Sequence, residues 1–141
     1  MIELKFEDKV RLWRNLRDEL ETHPQPFKIL NDFLSSLPVS SKKANAFDPD
    51  ATIQPWNLID NSSFTEYEIA QLCAYTLQLT DRFSQSNLEI HISKDNKEDR
   101  YVYLVYVDKH TVLRYSYEAV AVEDLPNTLV SQKIYTLPPL H

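Results

Sequence analysis

Two of the chain's histidines, its single cysteine and a few acidic turns are the residues whose types could do chemistry. His91 lies in Leu88-Glu89-Ile90-His91-Ile92, on the polar side of a period-two alternation, and His110 lies in the turn Asp108-Lys109-His110. With Asp95, Glu98 and Asp99 between them, the two imidazoles could act as metal ligands or an acid–base pair if a sheet brought them together. The spacing argues otherwise. There is no HxxxH, HxH or CxxC pattern, so these groups read as solvated strand and turn residues. Cys73 has no basic neighbour on its own segment and falls on an apolar stripe, which makes it a structural thiol rather than a nucleophile. Asp48-Pro49-Asp50 sets two carboxylates close together, but an EF-hand loop needs more oxygens and a glycine, so turn chemistry is the better account. Lys9, Arg11 and Arg14 could meet phosphates, yet the acids beside them nearly cancel their charge, as on a solvated helix face.

The sequence contains no glycine at all. Glycine ordinarily supplies about 7% of residues. Its absence removes the phosphate-cradling loops, the dinucleotide fingerprint and the nucleophile elbow, each of which needs glycine at fixed offsets. It also sends left-handed backbone positions to Asn or Asp.

These side chains depend on a scaffold of ordinary globular composition. The chain has 141 residues, a net charge of −6 and a pI of about 5.1. That length suits one domain burying roughly two-thirds of its unfolded surface. The acidity disfavours a general nucleic-acid footprint. One cysteine cannot make an intrachain disulfide, no segment approaches the ~18–20 apolar residues of a membrane span, and Met1 to Asp8 does not read as a signal peptide. The expectation is a cytosolic chain, or one assembled from the cytosol into something larger, without cofactor or metal.

The segment from Phe64 to Phe83 organises the rest. Tyr67, Ala70, Cys73, Ala74 and Leu77 recur at helical spacing, and Ile69, Leu72, Thr76, Leu79 and Phe83 fill the adjacent stripe. A helix apolar over so much of its circumference is buried on most sides. Ser63 with Glu66 offers it a capping box. Ahead of it, residues 6–22 form an amphipathic helix on Phe6, Val10, Trp13, Leu16 and Leu20. His23-Pro24-Gln25-Pro26 breaks that helix, and residues 26–37 form a second one on Phe27, Leu30, Phe33, Leu34 and Leu37. Together residues 6–37 make a helical hairpin. Residues 39–54 lack periodicity and read as a surface loop with Phe47 as anchor. Pro55-Trp56-Asn57-Leu58-Ile59 is a short helical turn with Trp56 and Ile59 inward. After Asn87 the period falls to two. Leu88–Ile92, Tyr101–Val107, Thr111–Tyr117 and Val130–Leu137 read as four strands within residues 88–137. The fold class is α+β: a helical hairpin and a buried central helix on a four-stranded antiparallel sheet, in one domain over residues 1–141.

Tyr101, Tyr103, Tyr106, Tyr115 and Tyr117 fall in or beside the sheet. They suit cross-strand packing and a protein–protein surface equally, since aromatics stabilise antiparallel pairs and tyrosine is enriched in interface cores.

The run from Val10 to Leu20, Val-Arg-Leu-Trp-Arg-Asn-Leu-Arg-Asp-Glu-Leu, resembles the start of small proteins of tailed bacteriophages, notably those of cyanobacteria. Pro55 to Ile59, Ala74 to Phe83 and Glu89 to Ile92 share the resemblance. It implies a gene lying among virion and assembly genes and carries no catalytic motif. The implied job is non-enzymatic: a virion or assembly protein at the neck or tail, as connector, completion or terminator component. It would be a homo-oligomer or dock on a ring of other phage structural proteins, assembled in the host cytoplasm, without membrane insertion or direct nucleic-acid reading. The alternative of another class is a host-takeover protein that binds and inhibits a host protein. A small enzyme is the third, and no constellation in the sequence supports it.

Overall fold

A computed structural model describes residues 5–40, 47 and 54–137. The chain is α+β, with four α-helices and a five-stranded antiparallel sheet among the described residues. Helix α1 spans Phe6–Thr22, α2 Pro26–Ser35, α3 Pro55–Ile59 and α4 Glu66–Gln78. Strands β1 (Leu88–Asp95), β2 (Arg100–Val107), β3 (Thr111–Leu113), β4 (Val120–Ala121) and β5 (Leu129–Leu137) lie in the order β4-β3-β2-β1-β5. Most of residues 39–54 lies outside the described residues. Val39 forms a bridge with Phe64, and Phe47 packs edge-on against Tyr101.

Helix α4 is enclosed: ten of its thirteen residues are buried. It starts two residues later than the Ser63–Glu66 box predicts, because the backbone before it is already committed. Phe64 N–H donates to Pro38 O at 2.9 Å and Phe64 O accepts from Ser40 N–H at 2.6 Å, which holds Phe64 extended. Thr65 is therefore the cap. Its hydroxyl accepts from Glu68 N–H at 3.1 Å, and the Glu68 carboxylate accepts from Thr65 N–H at 2.9 Å. Asn61 Nδ2 donates to the other Glu68 oxygen at 3.1 Å, so α3 and α4 share the cap.

Helix α1 is fastened to α4 from inside. Trp13 is fully buried and its indole N–H donates to Thr76 Oγ1 at 2.9 Å, while the Thr76 hydroxyl donates to Leu72 O at 2.6 Å. Both polar groups are thus satisfied in the core, which their burial requires. At the far end Glu21 accepts Asp81 N–H at 2.8 Å and Arg82 N–H at 2.9 Å. Arg82 Nη1 returns donors to Leu20 O and His23 O at 3.1 and 2.7 Å. This reciprocal clamp joins the end of α1 to the turn that follows α4, and helical structure stops at Gln78 rather than running on to Phe83.

The centre of the sheet is buried on both faces. Leu88, Ile90, Ile92, Val105, Val107 and Leu113 join the helical core. Leu104 and Val112 point the other way by strand alternation, yet both are fully buried. The topology supplies their cover. Strands β4 and β5 sit at opposite edges while helices occupy one face, so residues 122–128 cross the other face. Val122 N–H donates to His110 O at one end of this strap, and Thr128 O accepts from Asn96 N–H at the other. A two-sided apolar β2 is therefore a covered central strand.

The third strand is shorter than its sequence suggests, Thr111–Leu113 in place of Thr111–Tyr117. Arg114 has φ of 76°, which turns the chain away before β4 adds a fifth strand. Left-handed backbone falls to Asp99 and Asp108, as a chain without glycine requires, but also to Lys109 and Arg114. Asp108 and Lys109, with φ of 54° and 57°, are the central residues of a turn closed by His110 N–H on Val107 O at 3.1 Å. Such a turn favours Asn-Gly or Asp-Gly. Lys109→Gly should therefore raise stability by about 1 kcal/mol, read as a higher urea midpoint with unchanged slope. A midpoint that stays put or falls would contradict the strain assigned to Lys109.

Candidate functional site

His91 is not the solvated strand residue its alternation suggests. It is buried, with its ring stacked on Tyr106 at 3.6 Å and 10°. Nδ1 lies 2.8 Å from Ser131 Oγ, and Nε2 lies 3.1 Å from Glu89 Oε1. A carboxylate only accepts, so Nε2 carries the proton; in the neutral ring Nδ1 then accepts from the Ser131 hydroxyl. Burial pushes the Tyr106 phenol up from its ordinary range. The register places this network. His91 pairs with Leu104 on β2 and Ile134 on β5, and a bulge in β5 shifts the pairing so that Ser131 comes opposite Ser93. Sequence reasoning missed Ser131 because its position depends on that bulge.

Hydroxyl, imidazole and carboxylate in this order are the parts of an activated nucleophile. Such a nucleophile also needs room for a substrate and donors for a developing oxyanion. A cavity of about 470 Å³ lies elsewhere, between the α1–α2 turn, the segment after α4 and the approach to β4. The network ties edge strand β5 to β1 across the bulge. His91→Leu should cost about 1–3 kcal/mol by leaving the largely buried Glu89 carboxylate without its partner, measured by urea unfolding. A fluorophosphonate should leave Ser131 unlabelled in the native protein. An unchanged midpoint would remove the structural role, and labelling of Ser131 would assign the network to catalysis.

The other sequence candidates do not converge. His110 is exposed in its turn, with Nδ1 3.3 Å from its neighbour Thr111, and does not meet His91. Asp95 accepts Lys97 and Glu98 N–H groups, and Asp99 pairs with Lys94 at 2.9 Å, so these acids shape the β1–β2 turn. Asp48 and Asp50 lie outside the described residues. Cys73 is fully buried, and desolvation pushes its thiol up to about 12, which leaves no thiolate at neutral pH. Lys9 does not share a basic surface with Arg11 and Arg14. It is buried, and Nζ donates to Asp60 O and Asn61 O at 3.0 and 3.3 Å, satisfying carbonyls at the end of α3. Among the described residues no group of three His, Cys, Asp or Glu side chains could hold a metal ion. No described helix is long and apolar enough to cross a membrane.

The five tyrosines do not form one patch. Tyr103 is half-buried against Tyr67 at 5.6 Å, and burial pushes its phenol up. Tyr106 faces the opposite side of the sheet, beside His91. Tyr101, Tyr115 and Tyr117 are exposed. Tyr101 is held by Phe47 at 5.6 Å and by the Lys94 ammonium 4.9 Å from its ring, while the Tyr117 hydroxyl donates to Asp32. Trp56, expected to point inward, stands 48% exposed, because the five-residue α3 turns Leu58 and Ile59 to the core instead. Its ring meets Trp13 edge-on at 5.3 Å. Arg17 lies over both indoles, 4.8 Å from Trp13 and 6.0 Å from Trp56. Burial lowers the Arg17 pKa, and its Nε is buried without a hydrogen-bond partner among the described residues.

No protein-family model matches the chain, and no curated protein matches it. Among solved structures it is similar to calcium-bound LapG of Legionella pneumophila, with a TM-score of 0.71 and 14% identity. The likeness covers 94% of this chain and 77% of that one, and at this identity it shows a shared fold alone.

Proposed function

We propose that this chain is a non-enzymatic bacteriophage virion or assembly protein, a neck or tail component that works through protein–protein contacts. The observation that carries the contact surface is a set of large aromatic side chains that are exposed yet held in place. Trp56 is braced by Trp13 and Arg17, and Tyr101 by Phe47 and Lys94. Tryptophan, tyrosine and arginine dominate interface hot spots, and an aromatic already fixed in the free protein loses little entropy on binding. The phage assignment draws on the segmental resemblance of Val10 to Leu20, Pro55 to Ile59, Ala74 to Phe83 and Glu89 to Ile92. The fold shared with LapG is neutral on this point.

Quantitative mass spectrometry of purified particles should find the chain at a fixed copy number. The triple variant Trp56→Ser, Tyr101→Ser, Tyr115→Ser should fold with a near-wild-type midpoint and be incorporated at least tenfold less. A wild-type chain absent from particles but recovered with a host protein would overturn the virion role and favour host takeover. Normal incorporation of the folded triple variant would remove these aromatics as the contact surface.

A further inference from the structure

The cavity of about 470 Å³ lies where three stretches of chain meet: the α1–α2 turn with the first turn of α2, the segment after α4, and the approach to β4. That volume is in the range of small-molecule sites. Its form is fixed by hydrogen bonds from outside the cavity. The Glu21–Arg82 clamp holds one wall. The opposite wall is held by Asn31 Nδ2 on Tyr117 O at 2.7 Å and by the Tyr117 hydroxyl on Asp32. Such a pocket is formed before anything enters it.

The lining combines flat apolar surface with positive charge. Phe27 and Phe83 stand 5.4 Å apart at 34° and, with Pro24, supply the apolar part. Arg82 lies 5.5 Å over Phe83. Its Nη1 is spent on two backbone carbonyls, and its Nε and Nη2 have no partner among the described residues. Lys28 also lines the cavity and makes no hydrogen bond or ion pair among the described residues. Glu118 is the one carboxylate in the lining and pairs with neither cation, so positive charge exceeds negative by one. A guanidinium fixed beside an aromatic face suits a planar anion: the ring stacks on the phenylalanines and the carboxylate meets the cations.

We propose that this cavity is a binding site for a small planar aromatic monoanion, an aryl carboxylate or its like, separate from the protein contacts above. The test uses 2-naphthoate as probe, with neutral 2-naphthamide as its isostere, followed by heteronuclear NMR shifts on the full chain. Naphthoate should shift Phe27, Lys28, Phe83 and Ala119 amides in a one-to-one saturable manner, with a dissociation constant on the order of 1 mM or below. Naphthamide should bind at least tenfold more weakly. Lys28→Gln alters an exposed side chain without structural bonds, so it should leave the fold intact and weaken naphthoate several-fold; added salt should weaken it too. Absence of saturable shifts would overturn the proposal, as would equal binding of the amide or unchanged affinity in Lys28→Gln. Because the probe is read on the isolated chain, failure here leaves particle incorporation untouched, and the reverse also holds.

Discussion

Enclosure of helix α4 is the constraint on which the rest of the structure depends. With ten of thirteen residues buried, it has almost no solvated face, so most of its polar groups are satisfied by neighbours, Gln71 Oε1 being buried without a hydrogen-bond partner among the described residues. Thr76 is satisfied by Trp13 and Leu72, Glu68 by Thr65 and Asn61, and Thr80 by Leu77. Two of these bonds fix the place of another element. The Trp13 bond sets α1, the Asn61 bond sets α3, and the extended Phe64 just before the cap sets the chain leaving α2. Isolated helices of this length are marginal in water, so packing supplies the stability of α4.

Enclosure from the helical side leaves the sheet to be closed from the other, and the edge-to-edge order of β4 and β5 does that by drawing residues 122–128 across the outer face. Apolar Leu104 and Val112 are buried beneath it, and the polar group of Glu89, His91 and Ser131 satisfies itself near the β5 edge. The bulge near Ser131 and the exposed Lys133 also blunt β5 as a template for further strands. Exposed aromatics are then displaced to the rim: Trp56 beside α1, Tyr101 at the turn end of β2, and Tyr115 and Tyr117 beyond β3.

Much of this was legible. The proline at the start of α3, the buried central rod and the fall to period two after Asn87 appear as predicted, and so do the α1 and α2 stripes except that Phe6 at the start of α1 is exposed and α2 ends at Ser35, two residues short of Leu37. Lys9 was legible in principle, since it sits four residues before Trp13 and seven before Leu16, on the buried stripe. Its charge hid that, because only the carbonyls at the end of a distant helix make burial tolerable. Local periodicity could not have shown the later start of α4, which follows from a bridge to Val39. The exposure of Trp56 follows from the shortness of α3. The pairing of His91 with Ser131 depends on a bulge forty residues on, and the cavity on three segments distant in sequence.

The central claim is that α4 is the last element to open. Native-state hydrogen exchange across a urea series measures this directly. Amides from Ile69 to Leu77 should exchange only through global unfolding, with the free energy and urea slope of the whole chain. Exchange of that stretch at a lower free energy than the β1–β2 pair would contradict the account, because it would make α4 a peripheral helix on an independently stable sheet.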